Sequence, residues 1–461
     1  MALSSKELLI DLRWMKPGRA GGIEQATRSL VESLLRLPTP PCPTLYMPRS
    51  GYFELDLPRR AKHEIVYSDP AELSAPPWTT VQGATPYKLC HSLVGYIHPD
   101  LRHIRSVLTV SDLLHLHHPE LFSAAELERR AALYEPSIRE AGHIICISEF
   151  TRRDVIARMN VSADKVSVVG LVPDGSGRRR LPAETLNRLL KGLNITSPFV
   201  LYPAQPWPHK NHERLLLAWR EARARLPSGW RLILTGQPFP YGHPANPLIG
   251  ETGALHLGYR SPLEMQALFQ GCSMLVFPSL FEGFGLPVAE AMMAGKPVAC
   301  SNLAVLREIA GDSAHYFNPE NIGHIANAIE AVATSAEHKE RALRSGAALA
   351  RLAPEKIALE TLRVYLRCLG RSDSTVSSIM TQRDWTPTPF SRHLPHARHH
   401  ARRAEEAGKT GHWALAVSGL LATAIYSPSM AYRRLIVGWW KRLRHAYRSR
   451  NAASTRPTAT P

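Results

Sequence analysis

Residues 277–301 read FPSLFEGFGLPVAEAMMAGKPVACS, and this stretch decides the fold. It opens on the end of an apolar run, Met274-Leu275-Val276-Phe277, which has the pattern of a strand buried on both faces. Pro278 and Ser279 stop that strand, and Glu282-Gly283-Phe284-Gly285 forms a loop with two glycines around an aromatic ring. Pro287 suits the first turn of a helix, where a missing N–H is no loss. The spacing predicts that the helix runs through Ala294, that Gly295 ends it, and that Pro297–Cys300 starts the next strand. The unit is strand, loop, helix, strand, with its chemistry in the loop.

Glycines let backbone N–H groups approach a ligand without a side chain between them. The helix that follows turns its positive end back on the same place, where anions bind. Glu290 lies one turn beyond Leu286 and can face such a ligand, while Glu282 precedes the loop. Carboxylates at both ends with amides between them suit a molecule with hydroxyls at its ends and a diphosphate in its middle, a nucleotide sugar. The competing reading makes Glu282 and Glu290 solvated surface carboxylates.

The run Glu282-Gly-Phe-Gly-Leu-Pro-x-x-Glu290-Ala-Met-x-x-Gly-Lys-Pro-Val298 resembles the donor-site motif of the retaining glycosyltransferases of family 4. The resemblance implies that Glu290 grips the donor ribose, that Glu282 sits by the transferred sugar, and that Phe284, Gly285 and Leu286 belong to the donor loop. It extends from about residue 8 to residue 370, and its motifs are more specific in the second half.

The chain has 461 residues, 44% of them hydrophobic, which supports sizeable cores in two or three domains. Its formal charge is +17, of which residues 371–461 carry +11, from 15 Lys and Arg against 4 Asp and Glu. A mildly basic body therefore bears a strongly basic tail. The six cysteines are scattered with no C-x-x-C pair, which argues against zinc and disulfides and fits a reducing cytosol. The N-terminus shows no long apolar segment of the signal-peptide kind.

In residues 1–180, Leu8–Leu12 reads as a strand and Ile23–Leu37 as a helix, with apolar residues recurring at helical spacing. Gly21-Gly22 between them is either a tight turn or a close approach to phosphate. The resemblance implies that it touches the donor phosphates. Residues 38–100 are proline-rich, with short strands expected near Thr44–Met47 and Glu64–Tyr67, and His91-Ser92 without a role. Strand Ser106–Val110 ends in Ser111-Asp112-Leu113, followed by His118-Pro119-Glu120. Ser111 stands where the family has a histidine that contacts the transferred sugar; Asp112 matches and is expected on the sugar or acceptor side. His115, His117 and His118 read as loop histidines rather than metal ligands. Ser148 is an N-cap by sequence, supported by Thr151.

In residues 181–370, strand Phe199–Tyr202 leads to Pro208-His209-Lys210-Asn211-His212 and a helix through Arg225. A lysine after a strand and at a helix start is either a surface residue working against the helix dipole or a clamp for diphosphate. The resemblance assigns Lys210 to the donor phosphates. His209 and Ala204-Gln205 replace basic residues of the family pattern, and the variant looks like that of bacterial polysaccharide transferases handling mannose or deoxymannose.

In residues 371–461, a Pro- and His-containing linker precedes His412–Tyr432, which lacks Asp, Glu, Lys and Arg. Arg433–Arg450 then mixes Trp439, Trp440 and Tyr447 with seven basic residues. Three readings stay open: an interfacial anchor on an anionic membrane, which is preferred, a helical appendage on the body, or a single span.

The sequence thus predicts an α/β protein: two Rossmann-like parallel-sheet domains facing a cleft (the type B glycosyltransferase fold) and a basic, partly helical tail. The resemblance implies a retaining, metal-independent hexosyltransferase using a nucleotide diphosphate sugar, GDP preferred, and no other cofactor. Expected sites are Glu282, Lys210 and Asp112 for the chemistry, and Gly21, Gly22, Lys210, Phe284, Gly285, Leu286 and Glu290 for the donor. Expected partners are the donor, a glycan or lipid-linked acceptor and an anionic membrane on the cytoplasmic side, with no nucleic acid. The alternatives are a catalytically inactive nucleotide-sugar-binding or scaffold protein, and a soluble starch- or disaccharide-type synthase.

Overall fold

A computed structural model describes residues 3–4, 6–15, 22–48, 63–68, 87–173, 180–372 and 376. Gly21, nearly all of the linker and the basic tail lie outside the described residues, and with them the expectations placed there. No described helix is long and apolar enough to cross a membrane.

The first lobe runs β1 (Leu8–Asp11), α1 (Gly22–Arg36), β2 (Thr44–Pro48), β3 (Glu64–Ser68) and β4 (Leu89–Ser92). It continues through β5 (Ser106–Val110), α2 (Leu114–His117), α3 (Ala124–Glu140), β6 (His143–Cys146), α4 (Glu149–Met159) and β7 (Val166–Val168). The second lobe opens with α5 (Ala183–Gly192), β8 (Phe199–Pro203), α6 (His212–Arg225), β9 (Arg231–Thr235) and α7 (Ala245–Thr252). Then come β10 (Leu255–His256), α8 (Pro262–Gly271), β11 (Met274–Phe277), α9 (Leu286–Met293) and β12 (Val298–Ser301). It ends with α10 (Ala304–Ala310), β13 (Ala314–Phe317), α11 (Ile322–Thr334), α12 (Ala336–Arg344) and α13 (Pro354–Cys368).

Each lobe holds one sheet, ordered β3-β2-β1-β4-β5-β6-β7 in the first and β10-β9-β8-β11-β12-β13 in the second. Every pairing is parallel, as in sheets with helices on both faces, and the central strands are buried on both sides. That is why β8, β11 and β12 are unbroken apolar runs whose residues from Val200 to Tyr202, Met274 to Phe277 and Val298 to Ser301 are all buried. The order reverses between β1 and β4, and again between β8 and β11. At such a reversal the loops after the two strands diverge to opposite faces and leave a crevice beyond the strand ends, where ligands bind.

β4 was not expected. Only four residues long, it carries His91 and Ser92 at its end and yet lies central, between β1 and β5. His91 is buried because both ring nitrogens are satisfied: Nδ1 meets the Tyr365 hydroxyl at 2.7 Å and Nε2 the Thr109 hydroxyl at 2.8 Å. Tyr365 belongs to α13, which crosses from the second lobe to pack on α1 of the first. The Arg371–Glu7 ion pair fastens the chain just beyond it.

Candidate functional site

The second-sheet crevice is built by the loops after β8 and β11. After β8, Pro208–Lys210 forms one 3-10 turn, and Asn211 takes a left-handed φ of 62° before α6 begins at His212. Lys210 therefore precedes the helix rather than opening it, as the sequence suggested. The two loops are stitched together: Leu280 donates its N–H to His209 O at 2.7 Å, and Asn211 Nδ2 donates to Pro278 O at 3.0 Å and Pro319 O at 2.8 Å. This holds Lys210 Nζ 2.6 Å from Glu282 Oε1, with the two side chains only 13% and 10% exposed. The ammonium also lies 5.7 Å from the Phe277 ring centroid and 6.0 Å from that of Trp207. Glu282 is thus no solvated surface group, and Lys210 is a held cation with donors to spare.

Gly285, with φ at 97°, caps α9 in a conformation that side chains resist; Val288 and Ala289 turn their N–H groups back on Gly285 O at 3.0 and 3.3 Å, which leaves Leu286 as the first-turn amide at the cavity wall. Pro287 falls in the first turn, and Gly295, with φ at 69°, follows the helix end as expected. Glu290 sits one turn in. Gly22 at the start of α1 faces Leu286 so closely that an added Cβ would lie 3.1 Å from Leu286 Cδ1. Gly283 is tighter still, since a Cβ there would lie 2.2 Å from Ser111 O and 3.0 Å from Asp112 Cβ. The two glycine-bearing segments meet across the cleft between the lobes.

Asp112 ends the loop after β5 and accepts the Leu114 N–H at 2.9 Å. Burial pushes its carboxyl above the usual carboxylate range; the Glu282 charge adds to this, while Arg130 and Lys210 oppose it. One cavity of about 780 Å³ is lined by Gly22, Asp112, Lys210, Glu282, Phe284, Gly285, Leu286 and Glu290. Every expected site residue that the structure describes therefore borders the same space.

The histidines of the α2 region do not converge. His117 Nε2 meets Asp154 Oδ2 at 2.7 Å, and His118 Nδ1 meets Glu120 Oε1 at 3.0 Å. His115 is buried against the rings of Phe122 and Tyr134, and burial lowers its pKa to about 4. Among the described residues, no three His, Cys, Asp or Glu side chains cluster so as to hold a metal ion. Burial lowers His209, which lines the same cavity in the position of a family arginine, to about 3, and the neighbouring Lys210 charge adds to this.

Several wall residues escaped the sequence reading. Arg130 on α3 borders the cavity, with Nε 2.7 Å from Glu126 and its guanidinium 4.6 Å from the Phe122 ring and 5.2 Å from that of Tyr134. Trp207 and Tyr259, each about half exposed, line the opposite lobe beside Arg260. The only sequence signal for Arg130 was its spacing from Glu126, which any surface helix shows.

Residues 187–348 match the family described as glycosyl transferases group 1. The O-antigen chain mannosyltransferase B of Escherichia coli is 29% identical over 272 residues, covering 57% of this chain and 70% of that protein. The serotype-specific mannosyltransferase WbdA of the same organism is 26% identical over 274 residues, 54% of this chain but only 33% of its own length. Among solved structures, Anabaena HepE in complex with UDP and glucose superposes with a TM-score of 0.59 at 19% identity, covering 78% of this chain and 99% of that one. WaaG, a glycosyltransferase involved in lipopolysaccharide biosynthesis, gives 0.58 at 13% identity, over 76% and 98%. At these identities the structural likeness speaks to the fold, the two-lobed type B architecture.

Proposed function

We propose that this chain, a glycosyltransferase by its group 1 domain, moves a hexose of the mannose or deoxymannose type from a nucleotide diphosphate sugar to a glycan or lipid-linked acceptor of the cell envelope. The carrying observation is the Lys210–Glu282 pair, one-tenth exposed, at the strand-order reversal of the second sheet. The mannosyltransferase relatives support the sugar class, and GDP is the preferred carrier. Retention and independence of metal rest on the family resemblance.

In this reading the bond between the anomeric carbon and the diphosphate oxygen breaks, and the acceptor hydroxyl oxygen bonds to that carbon on the same face. The hydroxyl proton passes to the departing phosphate oxygen, so no strong protein base is required. Negative charge develops on the diphosphate. Lys210 and the Leu286 amide at the start of α9 line the cavity and would meet that charge, and a preorganised donor costs no reorganisation at the moment of reaction. Glu282 orients the sugar, Glu290 holds the ribose hydroxyls, and Gly22 lets the α1 start approach the phosphates. Asp112 serves the sugar or acceptor side, its carboxyl pushed above the usual carboxylate range by burial. Lobes in contact exclude water and limit hydrolysis. The basic tail suits peripheral contact with an anionic membrane on the cytoplasmic side.

A thermal-shift panel of nucleotide diphosphates and their sugars tests the reading, with Lys210→Ala and Glu290→Ala alongside. One base family should raise the melting temperature of the native chain, and both variants should lose the shift. A folded chain that no nucleotide stabilises overturns it. Ser111 in the place of the family histidine and Gln205 in that of a basic residue favour a second reading, a nucleotide-sugar-binding protein without turnover. That protein would show the same shifts and release no nucleotide diphosphate.

A further inference from the structure

The loop that carries Glu282 is tied to the first lobe by groups outside the donor site. Ser148, the N-cap of α4, accepts the Thr151 N–H at 3.1 Å and donates its hydroxyl to Gly283 O at 2.8 Å. Beside it, the carboxylate of Glu308 on α10 reaches across the lobe boundary. Its two oxygens accept the N–H groups of Glu149 at 2.9 Å and Phe150 at 3.2 Å. Thr151 Oγ1 donates to Ser111 O at 3.2 Å, the same carbonyl against which Gly283 packs. A helix start leaves its first amides without partners and carries partial positive charge. Glu308 supplies both an acceptor and a negative charge there, and it comes from the other lobe.

We propose that Glu308 and Ser148 are positioning residues for sugar transfer: through the start of α4 they clamp the Glu282–Gly285 loop against Ser111 and Asp112 and so set the donor side against the acceptor side. The inference rests on the transferase reading for its consequence but not for its geometry. None of these groups touches the cavity chemistry directly; Ser148 holds the backbone of the donor loop, and Glu308 holds the helix that carries Ser148. When the clamp is released, the lobes still bind their ligands separately but lose the alignment that the reaction needs.

The test compares wild type with Glu308→Ala, Glu308→Gln and Ser148→Ala as full-length chains. The donor is whichever nucleotide sugar of the thermal-shift panel supports transfer, and hydrogen exchange is read on the same proteins. Glu308→Ala is expected to lower kcat about 10- to 100-fold, since misplacing groups remote from the chemistry costs that much. The donor KM should stay within about threefold, because donor contacts are kept. Glu308→Gln keeps one acceptor oxygen and should fall between. Exchange should quicken at the amides of 149–151 and, across the lobe boundary, at 283–286. An unchanged kcat, or faster exchange confined to α4, overturns the proposal, as does a loss seen only in KM. If Glu308→Ala does not fold, Ser148→Ala decides by the same criteria. A wild-type chain that transfers no sugar sinks the transferase reading, and the exchange at 283–286 still judges the clamp.

Discussion

Lys210 and Glu282 neutralise each other at the cavity wall, where the proposed reading puts the donor diphosphate and sugar, and that shapes what their substitutions do. Lys210→Ala strips the Glu282 carboxylate of its partner at a site one-tenth exposed. The expected outcome is a loss of about 1–3 kcal/mol in stability, the cost of a buried group left unpaired. Steady-state kinetics should show kcat about 10²–10³-fold lower, the size expected for one electrostatic donor. Calorimetric or denaturant unfolding and a nucleotide-release assay check the two effects separately. Gly283→Ala tests close approach instead of charge. Its methyl would sit 2.2 Å from the Ser111 carbonyl oxygen, a backbone atom that cannot swing aside. The donor loop and the loop after β5 must part, and kcat is expected to fall about 10²-fold by misalignment. Activity of the Gly283→Ala enzyme within a few-fold of wild type would contradict the packing. At this scale the carboxylates and glycines of the donor motif were legible in the sequence because each has a local reason. Arg130, Trp207 and Tyr259 were not, because only the approach of separate elements places them on one wall.

The loop from β8 to α6 shows what an element boundary can hide. Asn211 adopts φ at 62°, a region that Asn tolerates better than other side chains, and its amide holds Pro278 and Pro319 in register with it. Asn211→Ala removes two amide hydrogen bonds, one buried and one partly buried, each worth about 0.5–1.5 kcal/mol, and adds strain of about 1–2 kcal/mol. A fall in unfolding free energy of roughly 2–5 kcal/mol is expected by denaturant titration. A change below 1 kcal/mol, as is usual at ordinary surface positions, would refute this account of the loop. The sequence placed Lys210 at a helix start, whereas it closes a 3-10 turn, because the difference lies in one left-handed residue rather than in any periodicity. Strand β4 was unread for a related reason: Leu-Cys-His-Ser is short and half polar, and its burial between β1 and β5 relies on Thr109 and, from distant α13, Tyr365 to satisfy His91.

Across the whole molecule, buried histidines set the response to acid. Burial lowers His91, His209 and His212 to about 3 and His115 and His143 to about 4, from an ordinary 6.5. The folded chain therefore binds fewer protons than the unfolded one below pH 6.5, and its stability falls as pH drops through that window. It is fully present above the unfolded value. The melting temperature is expected to hold at neutral pH and to decline from about pH 6.5 downward, before most carboxylates titrate. His91→Gln, which cannot take up the proton, should flatten the decline. Differential scanning calorimetry between pH 7.5 and 4.5 reads both curves, and parallel curves would remove His91 from the account.

The sequence by itself determined the two parallel sheets, the glycine loop between Glu282 and Glu290 and a minority of the residues around the cavity, Lys210 and Asp112 among them. Those features rest on local physics: apolar runs of strand length, helix starts, glycine loops and a carboxylate one turn into a helix. The tertiary structure alone decided that β8 and β11 flank the strand-order reversal, so that Lys210 and Glu282 pair. It also decided that Glu308 and Ser148 join the lobes and that α13 ties the second lobe to the first. These depend on which distant segments meet, and hydrophobic pattern constrains burial without naming the partner.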